Sequence, residues 1–212
     1  EWWVQRKLQR VKNQIENALW QSKTTYTNAT HLKAFNGFIA QTDTAADAIA
    51  ATQQASITTS TVRGIFEDII YTKLPTSLPQ IMDKDPLIYM SYEDFMILQN
   101  KLMVDNLYHF VPTSGEFKAL EMVYPGTNVK VVAVPGLNSS NAVDSGSLPT
   151  AVKHRIFCTY SYNLIGAFNV ANDMDSFEVW YSKDDRNIKC HMAFYIGVLP
   201  VYTNQIIQYT NS

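Results

Sequence analysis

The sequence has few cysteines, few glycines and no long hydrophobic run, and each shortage excludes a class of protein. Its two cysteines, Cys158 and Cys190, argue against a disulfide-stabilised scaffold and predict two buried thiols in a reducing compartment. The eight glycines are scattered, so they form neither a dinucleotide-binding fingerprint nor a phosphate-binding loop. No apolar run reaches the ~18 residues of a membrane-spanning helix, so we expect no membrane partner.

An excess of basic charge is also missing, since 17 basic and 19 acidic side chains leave a formal net charge of -2. This balance argues against an obligate nucleic-acid-binding protein, which carries a clear basic excess. The chain opens at Glu1 within a helical pattern and without a secretory signal, so we expect a processed or trimmed chain.

Apolar residues, by contrast, are plentiful. They make up 46% of the 212 residues, and 12% of the chain is aromatic. This length suits one large domain or two small interlocked domains with a sizeable core. Because helical and strand patterns are mixed along the chain, we predict an α+β fold.

The first segment predicts an amphipathic helix with a basic side. Apolar residues recur at spacings of three and four: Val4, Leu8, Val11, Ile15 and Leu19. The other side carries Arg6, Lys7, Arg10 and Lys12. Two interpretations stay open, a solvated helix face or a face that meets acidic partners or nucleic acid. We interpret Trp2 and Trp3 as packing residues, with base stacking as the alternative.

The remaining patterns predict alternating helices and strands. A polar connection over 24–61, anchored by Phe35 and Phe38, precedes a helix over 62–74 that Ser60 or Thr61 caps and Pro75 ends. Ser91 caps the next helix, with Asp94 as an imperfect capping box. Predicted strands cover 86–90, 129–134, 156–160, 164–170 and 206–209, and a hairpin pairs 177–181 with 188–198 across a five-residue turn.

Side chains that carry chemistry are scattered. No metal-binding pair occurs among His31, His109, His154 and His191. We interpret two acidic pairs as turn residues, because they lack the glycine and distal glutamate of a calcium loop: Asp173 with Asp175, and Asp184 with Asp185. Cys190 and His191 are neighbours on a predicted strand, so their side chains point to opposite faces. The sequence therefore predicts no catalytic, cofactor-binding or metal-binding residue and no enzyme.

The order of these segments resembles a known family. The resemblance rests on TVRGIFEDIIY at 61–71, PLIYMSYEDF at 86–95, NVKVVAVPG at 128–136, RIFCTYSYNL at 155–164 and FEVWYSKDDRN at 177–187. A basic amphipathic helix ending at Leu19 and Trp20 and a threonine-rich loop come before them, and PVY at 200–202 follows. This succession resembles the C-terminal two-thirds of tailed-phage major capsid proteins with the Hong Kong 97 capsid fold, over nearly all 212 residues.

The resemblance implies a discontinuous peripheral domain at 1–57 and 177–212, with a spine helix and a long β hairpin, and an axial domain at 58–176. It implies a structural subunit of an icosahedral phage or prophage capsid, built from pentamers and hexamers around DNA that is packaged without sequence readout. Portal, scaffold or protease proteins would be further partners. The virion capsid would assemble in the cytoplasm of a bacterial host. The family's N-terminal arm and extended loop have no counterpart here, and the polar loop over 137–150 is where we expect contacts with symmetry mates.

Three alternatives remain beside this reading. An encapsulin-like compartment shares the fold but encloses proteins. An α+β enzyme or binding domain with no recognisable motif would need a pocket with convergent polar groups. A cell-surface or nucleic-acid-binding module fits poorly with the charge balance and the lack of a secretion signal.

Overall fold

The computed structural model describes residues 2–26, 32–51, 56–105, 121–138, 154–168, 178–184, 186–191 and 195–210. They form a mixed α+β fold, which confirms the predicted class. The helices are α1 (Trp2–Gln21), α2 (Phe38–Thr44), α3 (Val62–Glu67), α4 (Leu74–Ser77), α5 (Pro79–Met82) and α6 (Tyr92–Val104). The strands are β1 (Ile49–Ala50), β2 (Leu87–Met90), β3 (Glu121–Val123), β4 (Lys130–Ala133), β5 (Ile156–Thr159), β6 (Leu164–Phe168), β7 (Glu178–Ser182), β8 (Asn187–His191), β9 (Ile196–Pro200) and β10 (Ile207–Tyr209).

A mixed six-stranded sheet organises the structure, in the order β1-β10-β5-β2-β4-β3. The pairs β1–β10 and β2–β4 are parallel, and the other pairs are antiparallel. Every residue of β5 is buried, as expected for a strand near the middle of a sheet that is covered on both faces. Antiparallel pairs also join β6 to β9 and β7 to β8.

The large sheet separates two apolar clusters, because successive side chains of a strand point to opposite faces. On β5, Ile156 and Cys158 face one cluster and Phe157 faces the other. The first cluster packs against α3 and α6 through Phe66, Phe95 and other buried side chains. The second packs against the end of α1, α2 and β9. The fold therefore has three layers, with α1 on the side opposite α6.

The domain division expected from the sequence stays a prediction. The large sheet itself crosses both expected boundaries, since β1 and β10 come from the peripheral ranges and β2 to β5 come from the axial range.

The helix predicted over 62–74 does not end at Pro75. It continues as a π-helix over Asp68–Lys73 and then as α4 to Ser77. In the π-helical turn, the Leu74 N–H donates to the carbonyl of Ile69, five residues earlier. Proline is tolerated in the first turn of a helical segment, where its missing N–H costs little. Pro75 lies at the start of α4, so the change of helical period lets the chain remain helical.

The polar connection predicted over 24–61 contains two elements that the sequence analysis missed, α2 and β1. Helix α2 is polar in composition, but it buries Phe38, Ile39 and Thr42. The Thr42 hydroxyl donates to the Phe38 carbonyl at 2.9 Å, which satisfies its polar group inside the core. The predicted anchoring by Phe38 is confirmed, since its ring packs 5.2 Å from that of Trp20.

The long strand predicted over 188–198 is wrong, because β8 and β9 have different partners. The β7–β8 hairpin itself is confirmed, but Ser182 pairs with Asn187, so the connection has four residues, 183–186, and not five. Strand β9 instead pairs with β6. The mostly apolar segment 188–198 carries no mark of the point where the chain changes partner, which is why the prediction was wrong.

The cap predictions have mixed outcomes. Ser91 caps α6 as predicted, and its hydroxyl accepts from the Asp94 N–H at 3.0 Å. Asp94 does not complete a capping box, because its carboxylate turns to His154. Thr61 precedes α3, but its hydroxyl accepts from the Thr58 N–H and donates to the Ser56 carbonyl, so it closes a turn and caps no helical amide.

Candidate interaction surfaces

The small β6–β9 sheet has two apolar faces, and one of them is exposed. The inward face includes Leu164 and Val198, which pack with the second cluster. On the outward face, Ile165 and Leu199 lie directly opposite each other and are 49% and 59% exposed. A sheet with one solvated face normally alternates apolar and polar residues. In the β6–β9 sheet, the outward positions that would usually be polar are the apolar residues Ile165 and Leu199.

This outward face extends beyond the paired strands. Tyr195 is 75% exposed and Val201 is 39% exposed, and both continue the alternation of Leu199. We call the set the outer face, and it consists of Ile165, Ala167, Tyr195, Leu199 and Val201. Contiguous exposed apolar patches mark sites of interaction with other macromolecules, whereas single exposed apolar residues do not. The outer face is therefore a candidate protein-contact surface.

Asn163 holds one end of the outer face in place. Its amide donates to the Thr159 hydroxyl and to the Tyr202 carbonyl, each at 2.9 Å, and its side-chain oxygen accepts from the Tyr202 N–H at 2.7 Å. Two exposed tyrosines, Tyr162 and Tyr202, lie beside this clamp. A buried and fully bonded amide gives the surrounding loop a fixed shape.

Helix α1 has a buried C-terminal end. Gln21 donates to the Gly136 carbonyl at 2.5 Å, and the Trp20 ring lies 5.6 Å from that of Tyr89 and 5.8 Å from that of Phe157. Burial raises the pKa of the Glu16 carboxyl, against the opposing effects of the Gly136 N–H and Lys12. This end fixes the direction in which the rest of the helix leaves the core.

The other half of α1 is exposed and basic. Each residue from Gln5 to Arg10 is exposed, and Leu8 keeps 47% of its surface in water. The Arg6 guanidinium lies 5.4 Å from the centre of the Trp2 ring. The four predicted basic residues are thus at the surface. Beside them, a groove of about 340 Å³ runs along the helix.

A second groove, of about 630 Å³, lies between the π-helical turn and the turn before β4. Tyr71, Thr127 and Asn128 supply its polar groups, and Ile70, Pro75 and Met82 are among its apolar lining residues. Among the residues that the structure describes, no acidic, basic, histidine or cysteine side chain lines either groove.

A buried carboxylate meets a histidine at the start of α6. Asp94 is fully buried, and its Oδ1 lies 2.7 Å from Nδ1 of His154, which has a positive φ of 55°. The left-handed backbone of His154 turns the chain just before β5 and brings its ring to Asp94. This pair connects the N-terminal turn of α6 to the start of β5, and no pattern in the sequence predicts it.

The adjacent residue, Arg155, forms a bidentate ion pair. Its Nη1 and Nη2 donate to the two carboxylate oxygens of Asp43, each at 2.8 Å. The Arg155 side chain is 3% exposed and that of Asp43 is 35% exposed. Parallel N–H···O bonds of this kind are among the stronger polar contacts in proteins. They connect the C-terminal end of α2 to the residue that precedes β5.

Asp43→Asn is expected to destabilise the protein by about 1–3 kcal/mol, because a nearly buried guanidinium loses a charged acceptor. Urea unfolding measures the change. Asp184→Asn, in an exposed turn, is the matched control and should change the unfolding free energy by less than about 0.5 kcal/mol. Equal effects of the two substitutions would contradict a structural role for the Arg155–Asp43 pair.

Cys158 is fully buried, and burial raises the pKa of its thiol to about 12. Since the thiolate is the reactive form of a cysteine, this raised pKa disfavours the reactive form of Cys158 at neutral pH. The burial of Cys158 is confirmed, whereas the side chain of Cys190 lies outside the described part of the structure.

The raised pKa of Cys158 predicts a loss of stability in alkali. Its contribution is fully present below the ordinary thiol pKa of 9.0 and is lost as pH rises toward about 12, because the unfolded chain releases the proton first. The loss should reach at most about 4 kcal/mol, from ~1.4 kcal/mol per pKa unit. Unfolding should be measured across this range in the wild type and in Cys158→Ala. A slope that is equally steep in the variant would contradict the assignment.

The other residues considered for chemistry stay apart or undescribed. Asp184 is exposed in the β7–β8 turn, as predicted. His191 lies on β8, but its side chain is not described, and His31, His109, Asp173, Asp175 and Asp185 lie outside the described residues. Within the described ranges, no three histidine, cysteine or acidic side chains converge as a metal site would require. In the same ranges, no helix combines the length and apolarity needed to cross a membrane.

Comparison with solved structures gives distant similarities. No protein-family model and no curated protein matches the chain. A solved structure from Mycobacterium phage Che8 is similar, with a TM-score of 0.43 and 7% sequence identity. The similarity covers 77% of this chain and 53% of the phage chain, so this chain spans just over half of that protein's length.

Proposed function

We propose that this protein is a structural subunit of a phage or prophage icosahedral capsid, with a Hong Kong 97-like fold and no catalytic activity. The observation that carries the proposal is the outer face, an apolar surface that a single subunit leaves in water. A subunit that self-assembles must present such surfaces for burial against its neighbours.

The arrangement of α1 and the sheet supports the same proposal. The sequence resemblance implies a spine helix and a long β hairpin, of which the structure has a helix and a shorter hairpin. Helix α1 is 20 residues long, and its C-terminal end packs on the core. Strands β7 and β8 pair with each other as an antiparallel hairpin.

Self-association of the full-length protein tests the proposal. We expect size-exclusion chromatography with light scattering to give a species of many subunits when the protein is expressed alone. The species should persist on dilution, since closed shells bury every subunit's contacts. A monomer at all salt and protein concentrations would contradict the proposal.

A further inference from the structure

Residues 5–10 of α1 lack the burial that normally keeps a helix folded. Helices in proteins owe most of their stability to an amphipathic face packed on a core, and short isolated helices are marginal in water. The residues from Gln5 to Arg10 are all exposed, and they include the apolar Leu8. This part of the helix therefore gains little from burial within the subunit.

Its charges oppose helix formation as well. Arg6 and Arg10 are four residues apart, and Lys7 and Arg10 are three apart, so like charges are neighbours on the helix surface. Within Trp2–Gln21 there are four basic residues and one acidic residue, Glu16, a net charge of +3 in a chain of net charge -2. An acidic partner would relieve this repulsion.

The groove beside α1 is lined mainly by apolar side chains, so a partner that fills it needs an apolar surface. Its helix side is formed by Val11, Ile15 and Ala18, at helical spacings of four and three, together with the polar Gln14. Its other side includes Phe35, Ile196 and Tyr195, which is also part of the outer face. At about 1.5 Å of rise per residue, the apolar stripe is about 10 Å long. The stripe is continuous with the basic half of the helix.

The basic residues of α1 lie near the N-terminal end of this apolar stripe. Lys7 lies one turn before Val11 on the same stripe, because residues four apart share a helix face. At about 100° per residue, Arg10 and Lys12 fall on opposite sides of the stripe. Basic side chains thus lie at the N-terminal end of the apolar stripe and on both of its flanks.

We propose that this surface, which we call the α1 groove, binds an acidic amphipathic helix from a partner protein. Such a helix places its apolar face in the groove and its carboxylates against the basic rim. Nucleic acid would satisfy the basic residues but would leave Val11, Ile15 and Phe35 in water. The inference concerns the single subunit and holds whether or not the subunit forms shells.

A synthetic peptide provides the test. A fluorescent helical peptide of leucine at helical spacing and glutamate elsewhere is titrated with the full protein, and fluorescence anisotropy reports binding. We expect saturable binding that weakens as salt rises. The triple variant Arg6→Glu, Lys7→Glu, Arg10→Glu should weaken binding by roughly tenfold or more, as should Ile15→Asp.

Matched controls decide between charge alone and the combined surface. A peptide with lysine in place of glutamate should not bind, and a DNA duplex of equal length should bind more weakly than the acidic peptide. Tighter binding of the DNA, or unchanged peptide binding by Ile15→Asp, would overturn the proposal. Since Ile15 is half-buried, circular dichroism checks that the Ile15→Asp variant is folded. The double variant Arg10→Glu, Lys12→Glu changes only exposed residues, so it should weaken peptide binding without altering the core.

Discussion

Leu199→Arg is expected to abolish the large assembled species while leaving the subunit folded. Leu199 is 59% exposed at the centre of the outer face, so the substitution removes little packing within the subunit. In an assembled shell the same position would bury an unpaired charge. Loss of one central apolar contact residue costs about 2 kcal/mol or more per interface, or roughly 30-fold in its association constant. The loss repeats at every interface, so shells should disappear from the size distribution.

Two comparisons make this result specific to the outer face. Leu199→Met keeps the apolar area and should assemble as the wild type does. Circular dichroism and urea unfolding should place both variants within about 0.5 kcal/mol of the wild type, as for other exposed positions. Normal assembly of Leu199→Arg would show that the outer face is not a contact surface between subunits.

Gly136→Ala is expected to destabilise the protein by about 3 kcal/mol, at the upper end of the usual cost of overpacking. A Cβ at position 136 would lie 2.5 Å from Cδ1 of Trp20 and 2.8 Å from the carbonyl oxygen of Glu16. The second contact is with backbone, so no rotamer change removes it, and α1 itself must shift. The midpoint of thermal unfolding should fall by roughly 6–12 °C for a protein of this size.

Other glycines provide the comparison for this prediction. At Gly37 a Cβ would lie 2.8 Å from the carbonyl oxygens of Leu19 and Trp20, so Gly37→Ala should behave similarly. At Gly64, on α3, a Cβ meets nothing within 4 Å. Gly64→Ala should therefore stabilise the protein by about 0.5–1 kcal/mol, since alanine loses less backbone entropy in a helix. Stability of Gly136→Ala equal to that of Gly64→Ala would contradict the described contact of α1 with the core.

Elements with strong periodicity and clear end signals were predictable from the sequence. Helix α6 follows Ser91 as predicted, and β4 and β5 lie within one or two residues of their predicted bounds. In these segments local pattern and tertiary packing favour the same structure. The short helix α2 escaped prediction because its threonines satisfy their hydroxyls on the helix carbonyls, which composition does not reveal.

The continuation of the helix past Pro75 could not be predicted, because it depends on a change of hydrogen-bond period in the preceding turn. The exchange of partners between β8 and β9 depends on the tertiary structure in the same way. In both segments the local sequence pattern predicts one structure, and tertiary packing favours another.

The interaction surfaces were partly predictable. The basic side of α1 is visible in the sequence, and the structure adds the apolar groove beside it. The outer face was missed, since Ile165 and Leu199 lie in apolar runs that are typical of fully buried strands. Only the pairing of β6 with β9 shows that one side of these runs remains in water. The polar loop over 137–150, where we expected contacts, lies mostly outside the described residues.

Negative-stain electron microscopy of the full-length protein, expressed alone, is the most direct test of the proposed capsid function. We expect hollow shells of uniform diameter, or rings of five and six subunits, and their absence in the Leu199→Arg variant. Particles without closed symmetry, or single subunits only, would contradict the capsid function.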